Sequence, residues 1–338
     1  MKEKKIYDCF LFFQEFEILE LRLKYLYEYV DLFIVVEFNQ TFAGNKKNFN
    51  LEGNLKKFSN YLDKLFYYKI DENLHSFNDL IAHLNNKGDS ISKIIAKNML
   101  EHRHYDRNEI NWVIDTYQRE SIYYALNNFK ISEEDLIIIS DIDEIPNYKI
   151  LEDFRKDFSY SIVTFKQNAF SFFLNLLSSK GWYGSIVAKW GDLNYKSLNF
   201  LRLDVRNNFE LVKSISFPNG GYHFTSIGSV EYIKNKIKNM GHQELNNNFI
   251  ISKVEKNIYS GRDIFGRSIG QKNKIIDIND SNFFDLKISK IIKDDYNNLL
   301  IKKLYNLSYF SEIIFFFGVK IFKLIHIFKV KIGLIKKI

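Results

Sequence analysis

The chain has 338 residues, 46% hydrophobic and 17% aromatic, enough to bury the core of one large α/β domain or two small ones. Its single cysteine, Cys9, excludes an internal disulfide, and with two prolines and no Gly/Ser/Pro-rich stretch there is no clean linker before about residue 280. Residues 287–338 hold eleven lysines against Asp294, Asp295 and Glu312, so this tail carries +8 of a net +7 and the body is left at −1. A nucleic-acid binder carries its basic footprint on the folded domain, so nucleic acid is excluded as a partner.

In chain order, residues 6–13 read as a first strand, with Cys9 a core residue rather than a nucleophile. Residues 15–30 follow with helical spacing: Ile18, Leu19, Leu23, Leu26 and Val30 share one side. Strands are expected at 32–38 and 65–70. Residues 71–110 are polar, with a loop around 85–88, and Asn111 caps a helix through 127. A buried strand at 136–140, a helix at 148–156 and strands at 160–173 and 185–190 come next. Residues 220–224 form a strand with close backbone approaches, and Ser229 starts a helix ending near Gly241. Strands alternating with helices predict a doubly wound, mostly parallel sheet.

The most informative stretch is 135–146. Its apolar strand runs into Asp141, Asp143 and Glu144, and Pro146 stops the element. Ligands of open α/β sheets bind beyond the carboxyl ends of the strands. Two carboxylates one residue apart there suit Mg²⁺ or Mn²⁺, with nucleotide phosphates completing the shell; the plain alternative is a solvated acidic turn.

Further candidates accompany it. Glu37 ends a strand and either contacts a nucleotide base or ribose or is an exposed terminus. Arg103, Arg107, Arg119 and Arg202 suit a pyrophosphate, the acidic turn or surface ion pairs, with Arg119 best placed on the helix before the key strand. His223 is a third metal ligand, a base or a hydrogen-bonded core histidine. His242 and Glu244 open another helix, and Arg262 and Arg267 flank a loop open to an anion. Walker, G-x-G-x-x-G, H-E-x-x-H and paired C-x-x-C motifs are missing, which removes most ATPase, dehydrogenase and zinc-enzyme readings. No secretory signal opens the sequence, so a cytoplasmic location is expected. In the tail, Lys320, Lys323, Lys329, Lys331, Lys336 and Lys337 interrupt the apolar clusters, so no span is expected to cross a bilayer. The tail either lies on an anionic membrane or packs as a C-terminal or partner-binding element.

Several segments, in order, resemble glycosyltransferase family 17, the family of the bisecting β-1,4-N-acetylglucosaminyltransferase. They are residues 7–13 with Glu15, 19–23, 35–37, 41–44, 140–146, 220–224, 242–244 and 261–267. The resemblance implies a GT-A-like fold, a UDP-sugar donor, an inverting reaction and a divalent cation at the Asp-x-Asp. Eukaryotic members carry an N-terminal membrane span that this sequence does not show, so the basic tail is a candidate replacement anchor.

The expected protein is a GT-A-like catalytic domain over 1–285 with a basic, apolar, helical extension over 286–338. It moves a sugar, N-acetylglucosamine by resemblance, from a UDP-sugar to a glycan or glycolipid acceptor in bacterial-type surface glycan synthesis, at the cytoplasmic face of the membrane. Asp143 and Asp141, with His223, are the expected ligands of Mn²⁺ or Mg²⁺. Glu37, Arg119, Asp141, Arg262 and Arg267 are expected at the donor, and Glu244, Glu144 or Asp192 as the base. The rivals are a metal-dependent nucleotidyl- or phosphotransferase and an inactive glycan-binding protein of the same fold.

Overall fold

The computed structural model describes residues 3–102, 105–207, 214–267 and 269–331; Arg103, Lys336 and Lys337 lie outside them. The chain forms two compact units, one of residues 1–168 and 180–223, the other of 169–179 and 224–338. The expected boundary at 285/286 falls inside the second unit.

In the first unit, β1 (Ile6–Phe12), β2 (Leu32–Phe38) and β3 (Leu65–Ile70) are parallel neighbours, and β4 (Leu136–Asp141) runs parallel to β1 on its other side. Every residue of β1 is buried, as expected of a parallel strand covered on both faces. The helices are α1 (Phe16–Leu26), α2 (Phe77–Lys87), α3 (Ser90–Glu101), α4 (Ile110–Glu120), α5 (Ile122–Leu126), α6 (Tyr148–Lys156), α7 (Trp190–Leu193) and α8 (Leu198–Asn207). One core joins Cys9, Ile34, Ile95, Ile114, Ile139 and Leu198.

The mostly parallel sheet expected from the alternation holds only for this half. Among the described residues the sheet order is β3-β2-β1-β4-β7-β6-β9-β5, where β5 is Glu144–Pro146, β6 Ile162–Ser171, β7 Leu176–Lys189 and β9 Gly221–Thr225. β7 is antiparallel to β4, so the sheet is mixed. The sequence hides β7 because residues 178–180 are exposed and polar, which masks the first half of a 14-residue strand. The short β8 (Ile215–Phe217) pairs parallel with β6.

Pro146 ends an element as expected, but that element is a separate short strand, β5, which pairs antiparallel with β9 at the end of the strand path. Proline has no N–H to donate, and an edge position does not ask for one. Gly221, at φ +121°, meets Pro146 here: a Cβ on it would come within 2.1 Å of the Ile145 carbonyl oxygen.

The polar region 71–110 holds two helices, which meet at Gly88 and Asp89, at the end of the loop expected around 85–88. Ser76 caps α2 by accepting from the Asp79 amide, Gly88 closes it in the left-handed region, and Asp89 caps α3. Each buries a narrow stripe, Leu80 and Leu84 in one and Ile91, Ile95 and Met99 in the other, so the polar majority conceals the helical period. The helix expected over 111–127 breaks at Ser121, whose hydroxyl donates back to the Tyr117 carbonyl.

The second unit holds α9 (Val230–Asn239), α10 (Asn248–Ile251), α11 (Val254–Tyr259), the short β10 (Lys274–Ile275), α12 (Leu286–Asp295) and α13 (Tyr309–Lys331). The described part of the extension is built mainly from α12 and α13, helical as expected. Ile233, Ile258 and Ile264 form one apolar cluster, and Leu245, Ile250, Phe315 and Val319 another. The helix expected to open at His242 is a single 3₁₀ turn, Gln243–Leu245.

Candidate functional site

The acidic turn leaves β4 at its carboxyl end, and a buried arginine shapes it. Arg22 projects from α1 and donates to both oxygens of Asp8 on β1, at 2.8 and 2.6 Å. The same guanidinium donates to the Ser140 hydroxyl at 2.6 Å and to the carbonyls of Asp141, Ile142 and Glu144 at 3.1, 3.0 and 2.9 Å. Its planar fork reaches six acceptors, and it lies 4.5 Å over the Phe10 ring. These bonds tie three carbonyls of the turn to α1, which sets the path of the turn.

The side chains of the turn are divided by three further arginines. Asp141 receives Arg119 at 2.7 Å on one oxygen and Arg202 at 2.8 Å on the other, with Arg206 at 3.7 Å. Burial raises a carboxyl pKa, but Arg119, Arg202 and Arg206 outweigh it and hold Asp141 well below the usual range. Glu144 is fully buried. It accepts from the Asp141 amide at 3.0 Å, Arg202 at 2.7 Å, the Trp182 indole at 2.9 Å and Arg206 at 3.2 Å. Burial raises its pKa too, yet Arg202 and the other cations bring it below the usual value. Gly184 makes room for this carboxylate: a Cβ there would fall 1.8 Å from Glu144 Oε1.

Asp143 points elsewhere. Its Oδ1 lies 3.6 Å from His223 Nε2, and both side chains are nearly buried. The His223 ring stacks on Trp182 at 4.5 Å, and its buried Nδ1 has no hydrogen-bond partner among the described residues. Burial lowers the His223 pKa more than the neighbouring Asp143 raises it, so the ring is neutral near pH 7. A carboxylate oxygen and an imidazole nitrogen at this separation fit a cation about 2.1 Å from each. No group of three or more His, Cys, Asp or Glu side chains is arranged for a metal among the described residues, so phosphates or water would complete the shell.

Arg119 reaches further. Its Nε donates to Asn199 Oδ1 at 3.2 Å, and Asn199 Nδ2 lies 3.2 Å from His102 Nε2. His102 lines a cavity of about 930 Å³ together with Tyr160, Tyr195 and Phe200. One hydrogen-bonded path thus joins that cavity to Asp141.

Several expected site residues have other work. Glu37 is buried and accepts from Lys47, the Asn50 amide at 2.6 Å, the Leu51 amide at 3.0 Å and the Tyr67 hydroxyl at 2.7 Å, so it anchors a loop and offers nothing to a nucleotide. Glu144 is enclosed by donors, which removes it as a base for an acceptor hydroxyl. Asp192 follows Lys189, which pairs with Leu136 at the start of β4, so it lies at the opposite end of that strand from Asp141. Arg107 caps α3 through the Met99 and His102 carbonyls at 3.1 and 3.3 Å. In the second unit, Arg262 is buried against the Leu307 carbonyl at 3.1 Å and Glu312 at 3.3 Å, an anchor for α13 rather than an anion receptor. Arg267 is exposed and paired with Asp263 at 2.8 Å. Glu244, also in that unit, is partly exposed and lies 3.0 Å from His242 Nδ1.

Sequence reasoning missed Arg22 with Asp8, Arg206 and Trp182. A signal for the first pair existed: Asp8 interrupts an apolar strand, and Arg22 sits among the apolar positions of α1. Charges are almost never buried unless paired, so two such interruptions in neighbouring elements point to each other.

Fold and site define an α/β protein with an ordered carboxylate–arginine cluster at the carboxyl end of a parallel strand, where open sheets bind ligands. Residues 1–85 and 80–267 match Glycosyltransferase family 17, and the chain belongs to that family. Glycosyl transfer is the activity class this membership supports. No curated protein matches the chain.

Proposed function

We propose that the chain is a metal-dependent, inverting glycosyltransferase with a GT-A-like catalytic fold, moving N-acetylglucosamine from UDP-N-acetylglucosamine to a hydroxyl of a glycan or glycolipid. The observation that carries the metal reading is the Asp143–His223 pair, two cation-compatible ligands 3.6 Å apart just beyond β4. A divalent cation bound to them supplies charge neutralisation for the departing diphosphate.

The chain's own residues do the rest. Asp141 keeps Arg119 and Arg202 in place and leaves Arg206, 29% exposed, as the cluster's most accessible cation. Arg206 therefore takes the diphosphate role expected of Arg262. Trp182, stacked on His223 and bonded to Glu144, fixes the ring so that Nε2 faces Asp143. Of the carboxylates expected as base, Glu244 and Asp192 are partly exposed and Glu144 is not. Burial raises the Glu244 pKa and the neighbouring His242 outweighs it, so this carboxylate is ionised at neutral pH. Bacterial-type surface glycan synthesis at the cytoplasmic face of the membrane is the setting that suits a glycolipid acceptor.

The test is a thermal-shift screen of UDP-, GDP-, dTDP- and CMP-sugars, each with Mn²⁺, Mg²⁺ or EDTA. Ligands of the native state raise the melting temperature by mass action. A shift with UDP-N-acetylglucosamine that requires the cation supports the reading. A shift with a different nucleotide sugar replaces the donor, and none with any sugar removes catalysis from the proposal. Pyrophosphate instead of UDP among the products would turn the assignment to a nucleotidyltransferase.

A further inference from the structure

Helix α13 has two apolar faces, and among the described residues only one is covered. Glu312, Phe315 and Val319 are buried, and Phe249 stacks on Phe315 at 5.7 Å and on Phe322 at 5.1 Å. Gly318 permits this approach, since a Cβ on it would meet the Phe249 ring at 2.4 Å. Glu312 pairs with Arg262 and accepts from the Gly270 amide at 3.1 Å. These residues advance by three and four, so they form one stripe, and that stripe docks the helix on its own unit.

Phe310, Ile314, Phe317, Ile321, Leu324 and Phe328 form the opposite stripe. They advance by four and three in turn, and each is at least 52% exposed. A run of large apolar residues facing water marks an interaction surface. The helix is thus apolar on both sides, with Lys320, exposed, and Lys323, half-buried, between the two stripes.

We propose that the outer stripe of α13 lies in the surface of an anionic membrane, with the lysines beside it on lipid headgroups. Charge selects this occupant. Residues 287–338 carry eleven lysines against three acids, one of which, Glu312, is turned inward onto Arg262. A second copy seated on the same stripe would bring lysine against lysine, whereas paired helices favour opposite charges beside the seam. Long lysine side chains extend from an apolar face to the headgroup level. Among the described residues no helix is long and apolar enough to cross a membrane, so the helix lies on the surface. The proposal does not depend on the donor or the metal.

The experiment uses the full chain in flotation with phosphatidylcholine vesicles, with and without phosphatidylserine, beside the variants Phe317→Ser/Leu324→Ser and Lys320→Gln/Lys323→Gln. Expected are binding that needs phosphatidylserine, loss of at least roughly ten-fold in the apolar variant, and about five-fold weakening per lysine removed. Phe317, Leu324 and Lys320 are exposed and Lys323 is half-buried, and an unchanged melting temperature shows that each variant is folded. Failure of the full chain to float with anionic vesicles, or binding indifferent to the apolar variant, overturns the proposal. So does a concentration-dependent dimer that the apolar variant abolishes, because that result gives the face to a second copy.

Discussion

Arg22 and Asp8 meet through two parallel hydrogen bonds, 2.8 and 2.6 Å, with neither side chain reaching solvent. The pair joins α1 to β1, and through Arg22 it holds the carbonyls of the acidic turn. A structural ion pair thus sets the geometry of the site one layer away from any ligand. Arg22→Ala leaves Asp8 buried and unpaired, and such a loss costs about 3–5 kcal/mol. The urea midpoint is expected to fall accordingly, and Asp8→Asn combined with Arg22→Met to cost less than the two changes added. Strict additivity in that cycle would mean that the pair does not act as a unit.

Gly184→Ala places a methyl group against Glu144 Oε1. The carboxylate must move, which disturbs Arg202 and Trp182 together. Overpacking of this kind costs about 1–3 kcal/mol, and the melting temperature is expected to drop with it. An undisturbed melting temperature would show that the backbone yields instead.

Asp143→Ala and His223→Ala are expected to abolish the cation-dependent part of the donor-induced thermal shift, read against each variant's own free melting temperature, which falls because both side chains are nearly buried. Arg206→Met weakens donor binding without changing which cation is preferred. Cation-dependent shifts that survive in Asp143→Ala would place the metal elsewhere.

Glu244→Gln is expected to slow transfer by roughly 10²–10⁴-fold while leaving the donor-induced shift intact. Asp192→Asn, at the far end of β4, leaves turnover within about two-fold, as a surface change away from the site does. Equal losses in both variants would deny Glu244 a special role.

Acid is expected to unfold the first unit through Asp141 and Glu144. Both have a depressed pKa in the native state, despite burial, because arginines surround them. The unfolded chain then binds more protons than the native one in acid. Stability is fully present above the ordinary carboxylate pKa of about 4 and is lost as pH falls through the lower native values. Glu144→Gln should flatten this acid limb in a pH series of melting temperatures. An unchanged slope would place the acid-labile groups elsewhere.

Local pattern alone determined much of this protein. The strands at 32–38 and 65–70 and the helix at 148–156 stand where period and composition put them, since a two- or 3.6-residue repeat is written into neighbouring residues. The Asp141–Asp143 motif at the end of β4 and the membership of family 17 were legible for the same reason. Only the tertiary structure decided what the charged groups do. Asp141 and Asp143 are two residues apart, yet one is locked by Arg119 and Arg202 and the other faces His223. Arg22 reaches Asp141 across 119 positions, Arg202 reaches Glu144 across 58, and Glu37 is enclosed by a loop that local spacing does not foretell. Burial and pairing fix the state of a carboxylate, and both are properties of which distant segments the fold brings within three ångströms of it.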